Sequence, residues 1–379
     1  HPLDGWDRIL AHAEAGKLPD EENTFRFRNF GMFHVSPAQN SFMLRCRIPA
    51  GELTATQFRG LADIAEEFGN GKSAVTTRSN IQIREIQPTN LVNVLTSLQA
   101  LGLTAKGSGV DNIRNVTASP TAGFDPQELL DTRPFAHALH HYILNHREFY
   151  NLPRKFKVAF SGCPEDCIAT PINDAGLRAK IVDGVKGFSL TVAGGLGPLP
   201  TEARLLWDFF PAEETVKRVE AIIRIFNVHG NRGNKNKARL KFVMRERGFD
   251  WLRDAIEEQY QDIVKNGGIA MPEEVPENFG GFVQTAPPKG TGDLLPVYEA
   301  ASPEFAEWQE TNVRKQKQAG YSIVTIKTPQ GNLTSQQMHA LAELSEKAGD
   351  GFLRVTMSQN LILAWGPQGA LKRVFGALQ

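Results

Sequence analysis

Basic and amide side chains recur at every second position in three segments that read as strands. Arg45 and Arg47 alternate with apolar residues, and Lys155 and Lys157 flank a phenylalanine. In the third segment the alternating residues are Arg78, Asn80, Gln82 and Arg84. Because alternate residues of a strand share a face, each segment predicts one polar and one apolar face.

A surface of this kind suits a polyanionic ligand. Guanidinium groups bind carboxylates in bidentate fashion, and lysines supply mobile positive charge. Arg114, in Asp-Asn-Ile-Arg-Asn, adds a further cation. A solvated sheet face is the alternative for any one strand, but three such strands together favour anion binding.

Cys163 and Cys167 form a Cys-x3-Cys element, which supplies two of the four thiolates that an iron–sulfur cluster usually needs. Cys46, the only other cysteine, alternates away from the basic face. Two cysteines without a metal are the alternative, and no second pair of ligands has the spacing of a zinc site. So few cysteines are typical of a reducing compartment.

Three other segments leave their roles open. Residues 194–198 (Gly-Gly-Leu-Gly-Pro) form either a glycine turn or a backbone nest for an anion. The basic run 231–239 could face RNA, a carboxylated cofactor or water, and it lacks the interleaved aromatic residues of nucleic-acid binding. His137, His140 and His141 lie on a predicted helix as surface or core residues.

Composition excludes several classes of function. Lys+Arg and Asp+Glu balance at 42 each, so no global charge attracts nucleic acid or a membrane surface. No apolar stretch is long enough to span a bilayer, and no P-loop or dinucleotide-binding glycine motif occurs. We expect a cytoplasmic protein of two or three domains with neither nucleic-acid nor membrane partners.

The sequence contains an internal repeat. A shift of 280 aligns residues 43–98 with 323–378 without a gap and superposes turn, cap and core positions, among them Pro49 on Pro329, Gly51 on Gly331 and Gln57 on Gln337. This register predicts a duplicated domain. The equivalents of Arg78, Gln82 and Arg84 are Ser358, Ile362 and Ala364, so the fold itself does not require the charges.

Each copy has the pattern strand, turn, helix, strand, helix. In the first, we predict strands at 42–48 and 74–86 and a helix at 91–101, and the helix between the strands starts at a capping box of Thr54 and Gln57. This order predicts an α/β sandwich with helices on one sheet face. The Pro/Gly-rich segment 271–296 reads as a linker.

Several motifs resemble the nitrite/sulfite reductase family, which carries sirohaem and a 4Fe-4S cluster. They are residues 44–51 (Leu-Arg-Cys-Arg-Ile-Pro-Ala-Gly), 76–82, 112–116, 152–157, 161–164, 194–198 and 236–239. The likeness runs from about Phe25 to Gln379. It implies an α/β (α+β) fold with duplicated ferredoxin-like half domains around a sirohaem-binding α/β domain. The expected boundaries are 1–105, 106–270, a linker at 271–303, and 304–379.

The resemblance also implies roles for individual residues. Arg47, Arg114, Lys155 and Lys157 match the basic residues around the substrate anion. Residues that match sirohaem-carboxylate binding are Thr77, Arg78, Asn80, Gln82, Asn115 and Arg239. The implied reaction is the six-electron reduction of nitrite to ammonia or sulfite to sulfide, with ferredoxin or another low-potential donor.

The family's cluster ligands, a Cys-x5-Cys pair and a Cys-x3-Cys pair in the second half, do not occur in this sequence. Cys163 and Cys167 lie in the first half and are not assigned as ligands. We expect the ligands beyond residue 379 and an inactive chain without them. Residues 76–84 favour nitrite slightly over sulfite. Two alternatives are a related oxygenase of cobalamin synthesis and a non-catalytic tetrapyrrole-binding or carrier protein.

Overall fold

The computed structural model describes residues 1, 3–34, 40–268, 291–298 and 303–379. Contacts divide the chain into two compact units. The central unit comprises His1–Leu3, Gly107–Ala122 and Gln127–Phe279, and the duplicated unit comprises Asp4–Lys106, Gly123–Pro126 and Gly280–Gln379. Most of the predicted linker 271–303 lies outside the described residues, and the domain boundaries drawn from the sequence stay predictions.

The duplicated unit begins with the first copy of the repeat. Its elements are α1 (Trp6–Glu14), α2 (Glu21–Asn29), β1 (Met32–His34), β2 (Phe42–Arg45), β3 (Glu52–Thr54), α3 (Ala55–Phe68), β4 (Lys72–Val75), β5 (Ile81–Ile86) and α4 (Leu91–Ala100). The predicted capping box is present, because Thr54 and Gln57 each accept the other's backbone N–H at the start of α3. The apolar residues of α3 recur at helical period and are buried in the core.

Two predicted strands are shorter than expected. The first ends at Arg45 rather than at residue 48, because Cys46 donates its N–H to Ile81 whereas Arg47 donates to Thr104 on a different segment. The second, predicted over 74–86, is a hairpin of β4 and β5. Its turn is closed by the Thr76 N–H on the Asn80 carbonyl, at 2.9 Å.

The central unit contains one mixed sheet and a set of helices. Its elements are β6 (Thr117–Ala118), α5 (Arg133–Asn145), β7 (Val158–Ser161), β8 (Ala175–Val182), β9 (Val185–Val192), β10 (Arg204–Pro211), α6 (Thr215–His229), α7 (Leu240–Arg247) and α8 (Phe249–Asn266). The strand order is β10-β9-β8-β7-β6, with β6, β7 and β8 parallel and the remainder antiparallel. On α5, His137 and His140 are buried, as a core role predicts.

The second copy repeats the first at a spacing of 280 residues. It consists of α9 (Pro303–Asn312), β11 (Val313–Lys315), β12 (Tyr321–Ile326), β13 (Asn332–Thr334), α10 (Ser335–Ala348), β14 (Phe352–Val355), β15 (Leu361–Pro367) and α11 (Leu371–Ala377). Even the unusual backbone is repeated, since Ala50 and its equivalent Gln330 both have φ of 55°. The duplication inferred from the sequence is confirmed.

The two copies exchange a strand. One sheet has the order β1-β2-β5-β4-β13 and the other β11-β12-β15-β14-β3, so each short strand pairs in the sheet of the opposite copy. A single hydrophobic core contains residues from both copies, including Leu44, Phe58, Leu333 and Leu353. The fold is therefore mixed α/β, with two half domains that fold as one unit.

The sheet face that carries amides and charges in the first copy is apolar in the second. Ile362 and Ala364 are buried in a small cluster with Phe124, Ile323 and Trp365. This burial explains why the second copy lacks the charges of the first. Among the described residues, no helix is long and apolar enough to cross a membrane.

Candidate functional site

Arg114, Lys155 and Lys157 share one face of the central unit. The segment around Arg114 runs parallel to the segment around Phe156. The Phe156 N–H donates to the Asn112 carbonyl at 2.9 Å, and the Arg114 N–H donates to the Phe156 carbonyl at 2.8 Å. Ile113 and Phe156 are fully buried. Because side chains alternate along extended segments, Arg114 and the two lysines are turned to the opposite side.

The guanidinium of Arg114 is held in one orientation. Its Nε and Nη2 donate to the carbonyl of Val110 at 3.2 and 2.9 Å. Val110 has φ of 54°, a left-handed conformation that a β-branched residue rarely adopts. This strained turn directs the Val110 carbonyl toward the Arg114 guanidinium, and the two hydrogen bonds fix the position of the positive charge.

Lys155 lies among other cations. Burial lowers the pKa of Lys155 from its ordinary value of 10.5, and Arg114, Arg239 and Arg154 lower it further, in that order, while Asp174 acts in the opposite direction. These four groups belong to the central unit. A positive charge that is half-buried among like charges gains most when an anion binds beside it.

Asp174, which was not among the residues predicted from the sequence, holds this cluster together. Its buried carboxylate pairs with Arg239, at 2.8 Å from Nη2 to Oδ2, and accepts the Lys157 N–H at 2.8 Å. It therefore fixes a predicted cofactor-binding residue and the backbone of a predicted anion-binding residue. Its sequence signal is only an acidic residue directly before a strand.

The glycine segment 194–198 uses its first two N–H groups in hydrogen bonds within the protein. The Gly194 and Gly195 N–H groups donate to backbone carbonyls at 2.9 and 2.8 Å. The carbonyls of Gly195 and Leu196 instead accept from the buried Lys241 ammonium at 3.3 Å each. These contacts favour the turn interpretation over an anion nest, and the segment packs tightly, since a Cβ on Gly195 would lie 2.7 Å from Arg239 Nη2.

The basic run 231–239 folds back onto the central unit. Lys235 lies 2.5 Å from Asp111, which also binds Arg154 at 3.2 Å. Arg232 donates to the Asn227 side chain at 2.7 Å. The run thus anchors the segment that leads into Lys155 instead of presenting all its charges to solvent.

Two buried amides flank Arg114. Asn115, a predicted sirohaem-binding residue, is 1% exposed. Asn112, which the sequence analysis did not single out, is 2% exposed, and within the described part of the chain neither its Oδ1 nor its Nδ2 has a hydrogen-bond partner. A buried amide of this kind is ordinarily satisfied by a ligand or water, so Asn112 is a further candidate for contact with a bound group.

Arg47 lies in the duplicated unit. It is 1% exposed, and its N–H donates to the Thr104 carbonyl at 2.7 Å. The neighbouring Arg45 lies over the Phe33 ring at 4.5 Å. The role of Arg47 in an anion site stays a prediction.

The predicted polar strand face is in fact a turn followed by a strand. Thr77 and Arg78 lie in the turn, and Asn80 closes it by a side-chain hydrogen bond with Thr76. Ser79 has φ of 51°, which breaks the alternation. The prediction that Arg78 shares a strand face with Gln82 is therefore wrong, and the turn-forming Thr, Ser and Asn residues were the signal that could have shown it.

Gln82 does lie on β5, opposite Arg45 on β2. The amide oxygen of Gln82 faces Arg45 and accepts hydrogen bonds from its Nε and Nη2 at 3.0 and 3.1 Å. Burial, and secondarily Arg84, lowers the pKa of Arg45. This part of the sheet face is a polar network of the first copy.

A cleft of about 660 Å³ opens within the duplicated unit beside this network. The first copy contributes Thr76, Thr77, Gln82 and Arg84 to its wall, and the second contributes Gln330, Asn332, Thr334, Gln337 and Gln359. The wall is rich in hydrogen-bonding groups, and the first copy adds the positive charges of Lys72 and Arg84. It is suited to a large polar ligand.

The cysteines do not form a cluster site. Cys46 is buried in the core of the duplicated unit, and burial raises its pKa to about 12. Cys163 and Cys167 are neighbours in the central unit, with Sγ atoms 3.8 Å apart. The residues that the structure describes contain no group of three or more His, Cys, Asp or Glu side chains able to hold a metal.

Comparison with known families divides the chain as the repeat does. The model of the nitrite and sulphite reductase 4Fe-4S domain matches residues 109–264. The nitrite/sulfite reductase ferredoxin-like half domain matches residues 34–101 and again 314–379.

Curated relatives are similar along almost the whole chain. The ferredoxin–nitrite reductase of Synechococcus elongatus is 33% identical over 377 residues, covering 96% of this chain and 67% of its own length. The chloroplastic ferredoxin–nitrite reductase of Zea mays is 33% identical, covering 93% and 59%. The assimilatory ferredoxin-dependent nitrite reductase of Haloferax mediterranei is 32% identical, covering 96% and 63%.

The fold is also that of a solved relative. The structure of the Mycobacterium tuberculosis NirA protein matches with a TM-score of 0.81 and 26% identity, over 100% of this chain and 67% of that one. The chain thus spans about three fifths to two thirds of the length of the proteins it resembles.

Proposed function

The chain belongs to the nitrite and sulfite reductase family, and from that premise we propose that it provides the anion-binding and haem-binding residues of a sirohaem-dependent nitrite reductase. Enzymes of this family are oxidoreductases, and sirohaem and a 4Fe-4S cluster are their cofactors. The observation that carries the proposal is the cation cluster of Arg114, Lys155 and Lys157 on one face of the central unit.

The cation cluster fits a small oxyanion. Arg114 is held by Val110, and Asp174 holds Arg239 and the backbone of Lys157, so the two guanidinium charges are in place before an anion arrives. Donors that need no reorganisation stabilise negative charge most effectively. Lys155, whose pKa is lowered, is also the group best suited to deliver a proton to the anion as its oxygens leave.

The residues fit sirohaem as well. Arg239 and Asn115 in the central unit, together with the buried amide of Asn112, are hydrogen-bonding groups beside the cation cluster. In the duplicated unit, Thr77 and Gln82 line the polar cleft. We propose that these residues, with Arg78 and Asn80, bind the carboxylates of sirohaem, which when bound supplies the electrons to the anion.

The 4Fe-4S cluster does not fit the three cysteines of this chain. A 4Fe-4S cluster takes four thiolates as a rule, and the sequence contains three cysteines, of which Cys46 belongs to a different unit from Cys163 and Cys167. We therefore assign no cluster ligand and derive no electron-transfer step through one.

For the substrate we propose nitrite, and for the electron donor ferredoxin. Three of the relatives described above are named as ferredoxin-dependent nitrite reductases, at 32–33% identity. The site itself is a set of positive charges that would accept either nitrite or sulfite. The choice of substrate therefore rests on these relatives.

The test is to purify the protein as it occurs, record its visible absorption and compare kcat/KM for nitrite and sulfite with reduced viologen. We expect a sirohaem spectrum and a preference for nitrite.

The double variant Lys155→Ala/Lys157→Ala should keep the haem but lower kcat/KM at least about tenfold, because charged hydrogen bonds to the anion are lost. Lys180→Ala/Lys186→Ala, at accessible positions of β8 and β9 in the same unit, is the matched control. Unchanged kinetics in the first variant would mean that the anion site lies elsewhere.

A further inference from the structure

The loop that follows β7 carries two cysteines that the proposed reductase chemistry does not use. Their Sγ atoms lie 3.8 Å apart. Cys163 is buried at 4% exposure, whereas Cys167 is exposed. We propose that Cys163 and Cys167 form a reversible dithiol–disulfide couple that is oxidised by hydroperoxides, a modification site independent of the proposed reductase function.

The geometry favours an intramolecular bond. The loop is held on both sides, because Arg178 donates to the Pro164 carbonyl at 2.6 Å and the Asp166 carboxylate accepts the Thr170 N–H at 2.9 Å. Closing the sulfur separation to the roughly 2.0 Å of a disulfide requires a shift of less than 2 Å in side chains that already face each other, roughly the reach of a χ1 adjustment.

Cys167 has the surroundings of an attacking thiol. Its Sγ lies 3.1 Å from Oγ of Ser119, which is itself fixed by the Gly162 N–H at 3.0 Å. The hydrogen bond with Cys163, helped by Ser119, lowers the pKa of Cys167 to about 7, against the opposing effects of burial and of the Asp166 charge. A substantial thiolate fraction at neutral pH makes an exposed cysteine reactive toward peroxide.

The chemistry balances with hydrogen peroxide as oxidant. The Cys167 thiolate attacks one peroxide oxygen, the O–O bond breaks, and the departing hydroxide takes a proton to leave as water. The Cys163 thiol then attacks the resulting sulfenic sulfur, the S–S bond forms, the S–O bond breaks, and a second water leaves. Two thiols are oxidised by two electrons in total and one peroxide is reduced; a small dithiol reverses the change.

The primary experiment uses the unaltered chain. The reduced protein has three thiols. After one equivalent of hydrogen peroxide and denaturation, we expect only the Cys46 thiol to remain, the intact mass to fall by two hydrogen atoms, and dithiothreitol to restore both values. Three remaining thiols, a sulfinic acid on Cys167, or a disulfide between two chains would overturn the proposal.

Three variants assign the steps. Cys163→Ser should accumulate a Cys167 sulfenic acid that dimedone traps, because the resolving thiol is absent. Cys167→Ser should yield neither the sulfenic acid nor the disulfide. The matched control, Cys46→Ser, should oxidise as the unaltered chain does. Dimedone labelling of Cys163 in the Cys167→Ser variant at the rate seen for Cys167 would contradict the assigned order of attack.

Discussion

At the scale of single residues, the basic cluster of the central unit depends on one buried carboxylate. Asp174 is fully buried and pairs with Arg239, whose side chain is 8% exposed. Alternation in the sequence predicts a shared face for Lys155 and Lys157, whereas Arg114 comes from a separate motif and Arg239 from the family resemblance. Their shared counter-ion comes from a segment 17 residues beyond Lys157, a contact that only the folded chain creates.

Asp174→Asn tests this dependence. The amide keeps the shape but leaves the Arg239 charge buried without its partner, so we expect the free energy of unfolding to fall by about 3–5 kcal/mol. Urea denaturation of the purified chain measures it. The control is Asp208→Asn, which removes the exposed partner of Lys180 and should change stability by no more than about 1 kcal/mol. Equal effects in the two variants would show that the buried pair has no special role.

The lowered pKa of Lys155 predicts a pH dependence of nitrite binding. In the proposed site the anion binds to the charged ammonium, and this charge is lost as pH rises through a pKa below 10.5. Affinity should therefore weaken as pH rises, and at a lower pH than for a lysine with the ordinary pKa. Lys155→Arg keeps its charge throughout and should flatten the profile. Isothermal titration with nitrite across alkaline pH checks this, and an identical profile in the variant would contradict it.

At the scale of elements, local signals predict the start and the buried face of α3, whereas strand alternation fails where a turn interrupts it. The capping box of α3 and the helical period after it were confirmed because both are local to the helix. Alternation alone does not predict the hairpin turn at 76–80, because polar residues continue through it at every second position. Ser79, with its positive φ, shifts the register there, so Arg78 and Gln82 do not share a strand face.

The two capping boxes offer a matched pair of stability tests. Thr54→Ala and Thr334→Ala each remove a side-chain acceptor from the first turn of a helix, α3 in one copy and α10 in the other. We expect each to lower the free energy of unfolding by about 1 kcal/mol and Ser in either position to restore most of it. Chemical denaturation provides the measurement; no loss in either variant would mean that water replaces the cap without cost.

At the scale of the whole molecule, the repeat was evident from the sequence but its consequence was not. A gap-free shift of 280 identifies two copies and aligns their elements, as the structure confirms. It does not say which sheet a three-residue strand joins, because β3 and β13 are too short to carry a distinct pattern. The pairing of β13 with β4 and of β3 with β14 is a long-range choice made by the shared core.

This exchange predicts that neither copy folds alone. Without the second copy, β4 loses its partner β13, β3 has no sheet to join, and the apolar residues of α3 that pack on α10 are exposed to water. Residues 1–106 alone should therefore show no cooperative thermal transition by circular dichroism, whereas addition of residues 291–379 should restore one. In the intact chain, Leu333→Ala in β13 should cost about 2–5 kcal/mol and should speed hydrogen exchange of β4 amides in the other copy. A cooperative transition in the isolated first fragment, or unaltered exchange in β4, would show that the copies are independent domains.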